Sequence, residues 1–457
     1  VIHINPNTTI CALSTAAGVG AIAVIRISGK NTLNIVNGIF SKEITAETSH
    51  TLHYGIISNN QQIIDEVVVA WFKGPNSFTG EDVAEISCHG STFIQQKILE
   101  LLLEKGCVLA QAGEFTMRAF ANGKLDLSQA EAIADVIASS SEAEHKLAVQ
   151  QLRGHFSKKI EHLRQELINF ASLLELELDF AEEDVEFADR KKFLTLVHEI
   201  VLMINELADS FKVGNAIKNG IPIVIAGAPN AGKSTLLNVL LNEDRAIVSD
   251  IAGTTRDVIE DEVILHGVKF RFIDTAGLRE TNEEIESIGI EKAYAKIKVA
   301  DVVLYLIDAT KSMEEINFEI QALKNNPYFE GKKVVYVLNK TDNSTQDIQF
   351  EHHKLVKISA KQQQGIDELK QHLVELVSID KTLNQTNVVV TNVRHYKALL
   401  EAKEALVKAH DNLKHGTSSE FVAMDVREAI HHLGAITGQV TTDDLLGNIF
   451  SKFCIGK

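Results

Sequence analysis

The segment Gly227-Ala228-Pro229-Asn230-Ala231-Gly232-Lys233-Ser234 has the form GxxxxGK[ST], a spacing suited to holding phosphates. Its glycines let backbone N–H groups curl around phosphate oxygens at a helix N-terminus. Lys233 brings a point charge to the β and γ oxygens, and the Ser234 hydroxyl can ligate Mg²⁺. Downstream, Asp274-Thr275-Ala276-Gly277 ends the strand-like run FRFID. An acid there can hold Mg²⁺ through water, and the Gly277 N–H can sense a γ-phosphate. Between the two lies Gly253-Thr254-Thr255-Arg256-Asp257, where Thr255 can complete the Mg²⁺ shell. Asn339-Lys340-Thr341-Asp342 ends another strand-like run. The Asp342 carboxylate can accept from both N1–H and N2–H₂ of guanine, a donor pair that adenine lacks, so the site selects GTP over ATP. Ser359-Ala360-Lys361, after LVKIS, supplies a base-contacting loop. Leu278 stands where Ras-like GTPases place the glutamine that orients the attacking water, and leucine cannot do this. Either hydrolysis needs a helper or another group takes the role, and Glu280, Glu283, Glu284 and Glu286 are the nearest supply.

Elements of two kinds must position these residues. IPIVIAG (221–227), VILHGVKFRFID (263–274), DVVLYLID (301–308) and KKVVYVLN (332–339) alternate with helix-like segments, which predicts a parallel sheet with crossover helices. The first 120 or so residues read as a compact α+β domain. Short runs such as IAVIRI (22–27) and EVVVAWF (66–72) are set off by turns and by helical patterns near 31–39 and 91–104. From Leu127 to about Lys218 the pattern is helical, with Leu152, Phe156, Ile160, Leu163, Leu167, Phe170 and Leu174 forming one amphipathic stripe. The acidic run AEEDVEFAD (181–189) interrupts it and reads as a solvated loop. After a polar linker around Asp380–Thr386, residues from Arg394 to Lys457 are helical again, with a stop at Gly416. The economical arrangement is one helical domain with the α/β unit inserted into it. The limits predicted are 1–120 for the α+β domain, 121–216 and 381–457 for the helical domain, and 217–380 for the nucleotide domain.

A length of 457 residues fits this count at roughly 150 residues per domain. With 45 Lys and Arg against 62 Asp and Glu, the net charge of −17 argues against a broad polyanion-binding surface, so any nucleic-acid contact must be local or shared with a partner. Cys11, Cys88, Cys107 and Cys454 lack CxxC spacing, which points to a reducing compartment without zinc. No apolar run approaches the roughly 18 to 20 residues of a membrane span, and VIHINPNTTI lacks a signal-peptide pattern, so a cytoplasmic protein without a membrane role is expected.

RISG (26–29), GPNSFTGEDVAE (74–85), KLDLSQAEAIADVI from Lys124, PNAGKS (229–234), DIAGTTRD (250–257), DTAGLRE (274–280) and the terminal DDLLGNIFSKFCIGK together resemble the bacterial and organellar tRNA-modification GTPase family MnmE, also called TrmE. The resemblance runs over essentially the whole chain. It implies a multidomain α+β and α/β protein: an N-terminal α+β domain that dimerises and binds a 5-formyl- or methylene-tetrahydrofolate, an all-α helical domain, and an inserted Ras-like P-loop G domain. It implies GTP contacts from Asn230, Ala231, Gly232, Lys233, Ser234, Thr235, Ser249, Asp250, Ile251, Ala252, Gly253, Thr254, Thr255, Asp274, Thr275, Ala276, Gly277, Asn339, Lys340, Asp342, Ser359, Ala360 and Lys361, with Mg²⁺ on Ser234 and Thr255. A potassium ion would sit on Asn230, Ser249, Ile251 and Thr254, in roughly the place of an arginine finger's charge. The family's water-orienting glutamate falls on Glu286 and its switch arginine on Arg279.

Folate contacts carry over onto Arg26, Glu85, Lys124 and the terminal Lys457. Without the family, Arg26 and Glu85 read as surface charges on strands. Ala16, Ala21 and Ala23 depart from the Pro and Gly the family often carries there. Cys454 is either a catalytic thiol near the one-carbon carrier or a small buried hydrophobe. The resemblance further implies a homodimer that joins an FAD-dependent MnmG (GidA)-type partner in a heterotetramer. Its product would be an aminomethyl-type group at carbon 5 of the tRNA wobble uridine, with FAD on the partner. Arg153, Lys158, Lys159 and Arg164, or Arg394, Lys397 and Lys403, could add local tRNA contacts. The alternative is a regulatory or ribosome-assembly GTPase binding rRNA, which calls for a basic or KH-like appendage that the sequence lacks.

Overall fold

The computed structural model describes residues 7–60, 62–179, 189–244, 261–273, 295–343, 355–377 and 388–456. They form two compact units. The first comprises residues 1–134, 151–188 and 417–457; the second comprises 135–150 and 189–416.

The first unit holds a six-stranded sheet of β1 (Ile10–Leu13), β2 (Ile22–Ser28), β3 (Thr51–Asn59), β4 (Gln62–Phe72), β5 (Val83–His89) and β6 (Val108–Leu109), in the order β3-β4-β5-β2-β1-β6. All pairs are antiparallel except β1 with β6. Alternation decides which face is buried: Ile25, Ile27, Val67, Val69 and Ile86 point into a core shared with Ile98 and Leu102 of the helix α2 (Thr92–Glu104). Arg26 and Glu85, at the intervening positions, therefore share the opposite face. The expected amphipathic stripe is buried from Phe156 to Leu174, all on one helix, α3 (His155–Asp179), which packs on α4 (Ser419–Thr437). Leu152 belongs to a separate helix, α5 (Glu142–Leu152), because the chain turns at Gly154.

The second unit is built on β7 (Ile221–Gly227), β8 (Asp261–Leu265), β9 (Val268–Phe272), β10 (Val302–Asp308), β11 (Lys333–Asn339) and β12 (Leu355–Lys357), in the order β12-β11-β10-β7-β9-β8. The pairs are parallel with one exception. The run 263–274, expected as one strand, is the hairpin β8–β9, turning at His266-Gly267. Long helices α6 (Arg190–Asn219) and α7 (Val393–Lys414) pack together in this unit, with Phe211 stacked on Tyr396 at 4.5 Å between ring centres. Asp189, the last residue of the acidic run, caps the first of these, its carboxylate accepting from the N–H groups of Lys191 and Lys192. The rest of that run and the linker around Asp380–Thr386 lie outside the described residues. No helix among the described residues is long and apolar enough to cross a membrane.

Candidate nucleotide and folate sites

In a doubly wound sheet, ligands bind beyond the carboxyl ends of the strands, where the chain switches direction across the sheet. Here β7 runs on to β9 on one side and the chain then crosses to β10 on the other, so the switch lies at Gly227. The loop leaving β7 enters the helix α8 (Lys233–Asp244) through Asn230 and Gly232, both at positive φ, +61° and +95°. Asn230 is exposed on this curl. Gly232 is obligatory for a second reason: a Cβ there would stand 2.2 Å from Asn339 Nδ2. Lys233 Nζ donates back to Gly227 O at 3.0 Å and Ala228 O at 2.9 Å, while burial holds its ammonium below the ordinary lysine pKa. A phosphate restores to that cation the counter-charge that burial from water denies it.

Asn339 joins the phosphate loop to the base loop. Its side chain, in a residue 2% exposed, donates to Ala231 O at 2.8 Å and accepts from Ala360 N at 3.0 Å. Beside it the Asp342 carboxylate accepts from Ser359 Oγ at 2.7 Å, and that hydroxyl accepts from Gln362 N at 3.2 Å. The fully buried Ser359 therefore orients the group expected to read guanine. Lys340, at φ +68°, reaches Asp308 Oδ2 at 2.6 Å. Desolvation alone would raise the Asp308 pKa, but Lys340 together with the N–H and hydroxyl of Thr310 holds it below the ordinary aspartate value. Asp308 was not singled out from sequence, although it ends β10 in direct register with Asn339, where strand-end acids matter.

Thus the strand ends bring together Asn230, Ala231, Gly232, Lys233, Ser234, Thr235, Asn339, Lys340, Asp342, Ser359, Ala360 and Lys361. The Ser234 hydroxyl, in the first turn of α8, has the chemistry and position to hold Mg²⁺ next to Lys233. Ser249, Asp250, Ile251, Ala252, Gly253, Thr254, Thr255, Asp274, Thr275, Ala276, Gly277, Arg279 and Glu286 lie outside the described residues.

A second cluster forms in the first unit. Arg26 and Glu85 face each other across β2 and β5, joined at 2.8 Å. The guanidinium lies over the rings of Phe78 and Phe115, at 5.2 and 5.7 Å, and within 3.5 Å of Gly456 O. Ser14 Oγ also donates to Gly456 O, at 3.1 Å. Gly456 can lie this close because a Cβ would be 2.2 Å from Leu13 O. Lys124 Nζ donates to Pro75 O, on the loop that carries Phe78. Cys454 is exposed, so the buried-hydrophobe reading of it does not hold; Lys457 lies outside the described residues. Sequence reasoning missed the network beneath. Arg118, 1% exposed, meets Glu81 at 3.0 Å and Glu114 at 2.8 Å, and Glu81 accepts from Ser28 Oγ at 2.6 Å. These bonds fix the 74–85 loop against β2. A cation with paired carboxylate beside aromatic rings fits a ligand with a flat donor-bearing ring and an acidic tail, as a folate has.

Comparison with known proteins covers almost the whole chain. A family model described as the MnmE helical domain matches residues 127–454, and one described as the GTP-binding protein TrmE N-terminus matches residues 9–124. The chain is 55% identical to the tRNA modification GTPase MnmE of Flavobacterium johnsoniae, over 98% of this chain and 99% of that protein. It is 51% identical to the protein of that name in Parabacteroides distasonis, over 98% of this chain and 100% of that one. Among solved structures, the FeoB G-domain from Methanococcus jannaschii aligns at 25% identity over 35% of this chain and 97% of its own, with a TM-score of 0.26. A variant of Aquifex aeolicus Era bound to GDP·AlF4⁻ aligns at 25% over 40% and 66%, with a TM-score of 0.25. The assignment rests on the first four matches and not on these two. The chain belongs to the MnmE family of tRNA modification GTPases.

Proposed function

We propose that this GTPase works as a homodimer with an FAD-dependent MnmG-type partner in the cytoplasm. Together they install an aminomethyl or carboxymethylaminomethyl group at carbon 5 of the wobble uridine of certain tRNAs. The observation that carries the reading is the presence, in one chain, of two separate sites. One is a phosphate loop tied by Asn339 to a guanine-reading Asp342; the other is the Arg26–Glu85 pair with its aromatic rings and Gly456. A GTPase that only binds rRNA needs the first and has no use for the second. In this division residues 1–120, joined by Lys124 and Lys457, carry the folate, 217–380 the nucleotide, and 121–216 with 381–457 form the helical domain.

Lys233 and the backbone N–H groups of Ala231–Thr235 hold the β and γ phosphates, and Asp342 holds the base. Ser234 and Thr255 would hold Mg²⁺, which neutralises charge on the β and γ oxygens when bound. Asn230, with Ser249, Ile251 and Thr254, is suited to a potassium ion, because its exposed side chain stands on the curl around the phosphates. Glu286 orients the attacking water in place of the glutamine that Leu278 replaces, and Arg279 acts from the same loop. Closure of the two nucleotide domains on GTP is the switch. Arg26, Glu85, Lys124 and Lys457 hold the tetrahydrofolate that donates the carbon, with Cys454 exposed nearby. A net charge of −17 fits a partner that supplies much of the tRNA grip.

The test is GTP hydrolysis in matched KCl and NaCl by wild type, Asn230→Ala and Glu286→Ala, with mass analysis of the wobble uridine after incubation with tRNA and the partner. Strong acceleration by KCl that Asn230→Ala loses supports the cation site. Equal rates in both salts, or unchanged uridine, overturn the corresponding half of the proposal.

A further inference from the structure

The hairpin β8–β9 occupies a special place in the chain. It begins six residues after Thr255 and ends two residues before Asp274, so it joins the two segments whose chemistry can sense a γ-phosphate. Its body is anchored in the sheet, β9 pairing in parallel with β7, the strand that leads into the phosphate loop. Its turn touches an unexpected neighbour. The short segment Asp135–Gln150 belongs to the second unit although the chain on both sides of it belongs to the first. Ala143 N donates to Gly267 O at the hairpin turn, at 3.3 Å. Lys269 Nζ, two residues further on in β9, meets Glu144 Oε1 at 2.7 Å, with the two side chains only 10% and 7% exposed.

This ion pair is built rather than incidental. Ser140 fixes the second oxygen of Glu144, its N–H donating at 2.8 Å and its hydroxyl at 3.1 Å. Leu147, 3% exposed, shares a core with Leu265, Val268 and Phe270 of the hairpin. At the other end of the segment Asp135 is paired with Lys218 at 2.7 Å, directly ahead of β7. A strand is stiff along its length, and Lys269 stands three residues from Phe272 at the end of β9, roughly 10 Å at the ordinary rise. Movement of the strand end at Phe272 therefore reaches Glu144 along one element. A register change of two residues would carry Lys269 away by roughly 7 Å and strand a buried carboxylate.

We infer that the β8–β9 hairpin transmits the state of the nucleotide to the segment Asp135–Gln150, with Lys269 and Glu144 as the positioning residues that make the contact. The inference rests on GTP being sensed by Thr255 and Asp274. Neither positioning residue touches nucleotide, so their loss separates transmission from binding.

The experiment is amide hydrogen exchange on the full-length protein loaded with GDP or with a non-hydrolysable GTP analogue. In wild type, exchange within residues 139–147 is expected to differ between the nucleotides by about fivefold or more, the lower end of ordinary allosteric couplings. The charge-neutral double variant Lys269→Met/Glu144→Gln should abolish that difference, while the affinity for GDP stays within about twofold. Two outcomes overturn the inference: peptides from 274–294 respond to the nucleotide in wild type and 139–147 do not, or the double variant keeps the full response and merely melts earlier. If neither 274–294 nor 139–147 responds, the nucleotide-sensing reading beneath it fails instead. The wild-type comparison stands whether or not the variant folds.

Discussion

Gly232→Ala should weaken nucleotide binding by at least about tenfold, acting through Asn339 and not through the phosphate. The new Cβ would lie 2.2 Å from Asn339 Nδ2, well inside van der Waals contact, and the backbone at φ +95° is one that L side chains resist. Asn339 cannot step aside freely, because it is buried and bonded to both Ala231 O and Ala360 N. Displacing it leaves two buried backbone groups without their partner, at about 1–3 kcal/mol each, and the left-handed alanine adds about 1–2 kcal/mol. A total near 3–8 kcal/mol is an upper bound, since the loop can relax; if only half falls on the bound state, affinity drops by at least about tenfold and up to several hundredfold. Asn339→Ala alone loses the same two bonds without the clash or the strained residue. The double variant should then bind better than the two single losses multiplied together, with a coupling of about 1–3 kcal/mol. Titration of a fluorescent GDP analogue, beside thermal unfolding without nucleotide to isolate folding effects, measures all four corners. Strict additivity, or wild-type affinity in Gly232→Ala, would refute the staple as the link between phosphate loop and base loop.

Asp342→Asn should weaken GTP binding by about 1.5–3 kcal/mol, because the charged acceptor for both guanine donors is lost, and should improve relative binding of a purine with an acceptor at C2; competition with XTP against GTP checks this. Asp308 gives an acid-sensitive contribution. Its pKa is held low in the folded protein, so that stability is fully present above the unfolded value of about 3.9 and is lost as pH falls through the folded value. Asp308→Asn should flatten the fall of thermal stability below about pH 4; an unchanged slope would show that the Lys340 contact carries no stability. Arg118→Met should cost about 3–5 kcal/mol, since it strands Glu81 and Glu114 without their cation. Chemical denaturation measures it, and partial recovery on adding Glu81→Gln is expected; a loss under 1 kcal/mol would mean that water replaces the guanidinium.

The nucleotide site was legible wherever its chemistry is contiguous. A phosphate loop needs Gly232, Lys233 and Ser234 side by side, and the base loop needs Asn339 and Asp342 three residues apart, so covalent geometry displays them in the sequence. Partners that meet through strand alignment or across the fold left no such mark. Asp308 meets Lys340 because β10 and β11 run in parallel register, and Arg118 meets Glu81 across 37 residues of chain. Apolar periodicity also runs on through breaks: Leu152 and Phe156 keep helical spacing although Gly154 ends one helix and begins another. In the same way VILHGVKFRFID stays apolar through the turn at His266-Gly267, where only the glycine marked the reversal.

The Arg26–Glu85 pair shows where that limit falls. Alternation in IAVIRIS and VAEISCH puts Arg26 and Glu85 on polar-facing positions, which is readable, but not which position of one strand opposes which of the other. A slip of two residues keeps every apolar side chain in the core and sets Ser87 or Val83 against Arg26. What excludes the slip is bonding at both ends of the pair: Gly29 N to Asp82 O at 3.0 Å at one end, and Gly20 N to Gly90 O at 3.0 Å with Gly90 N to Ala21 O at 3.2 Å at the other. A Cβ at Gly90 would stand 2.3 Å from Gly20 O, so that crossing tolerates no larger residue. The charges that look most like solvated surface are thus placed by glycines with no chemistry of their own, at the far ends of the strands.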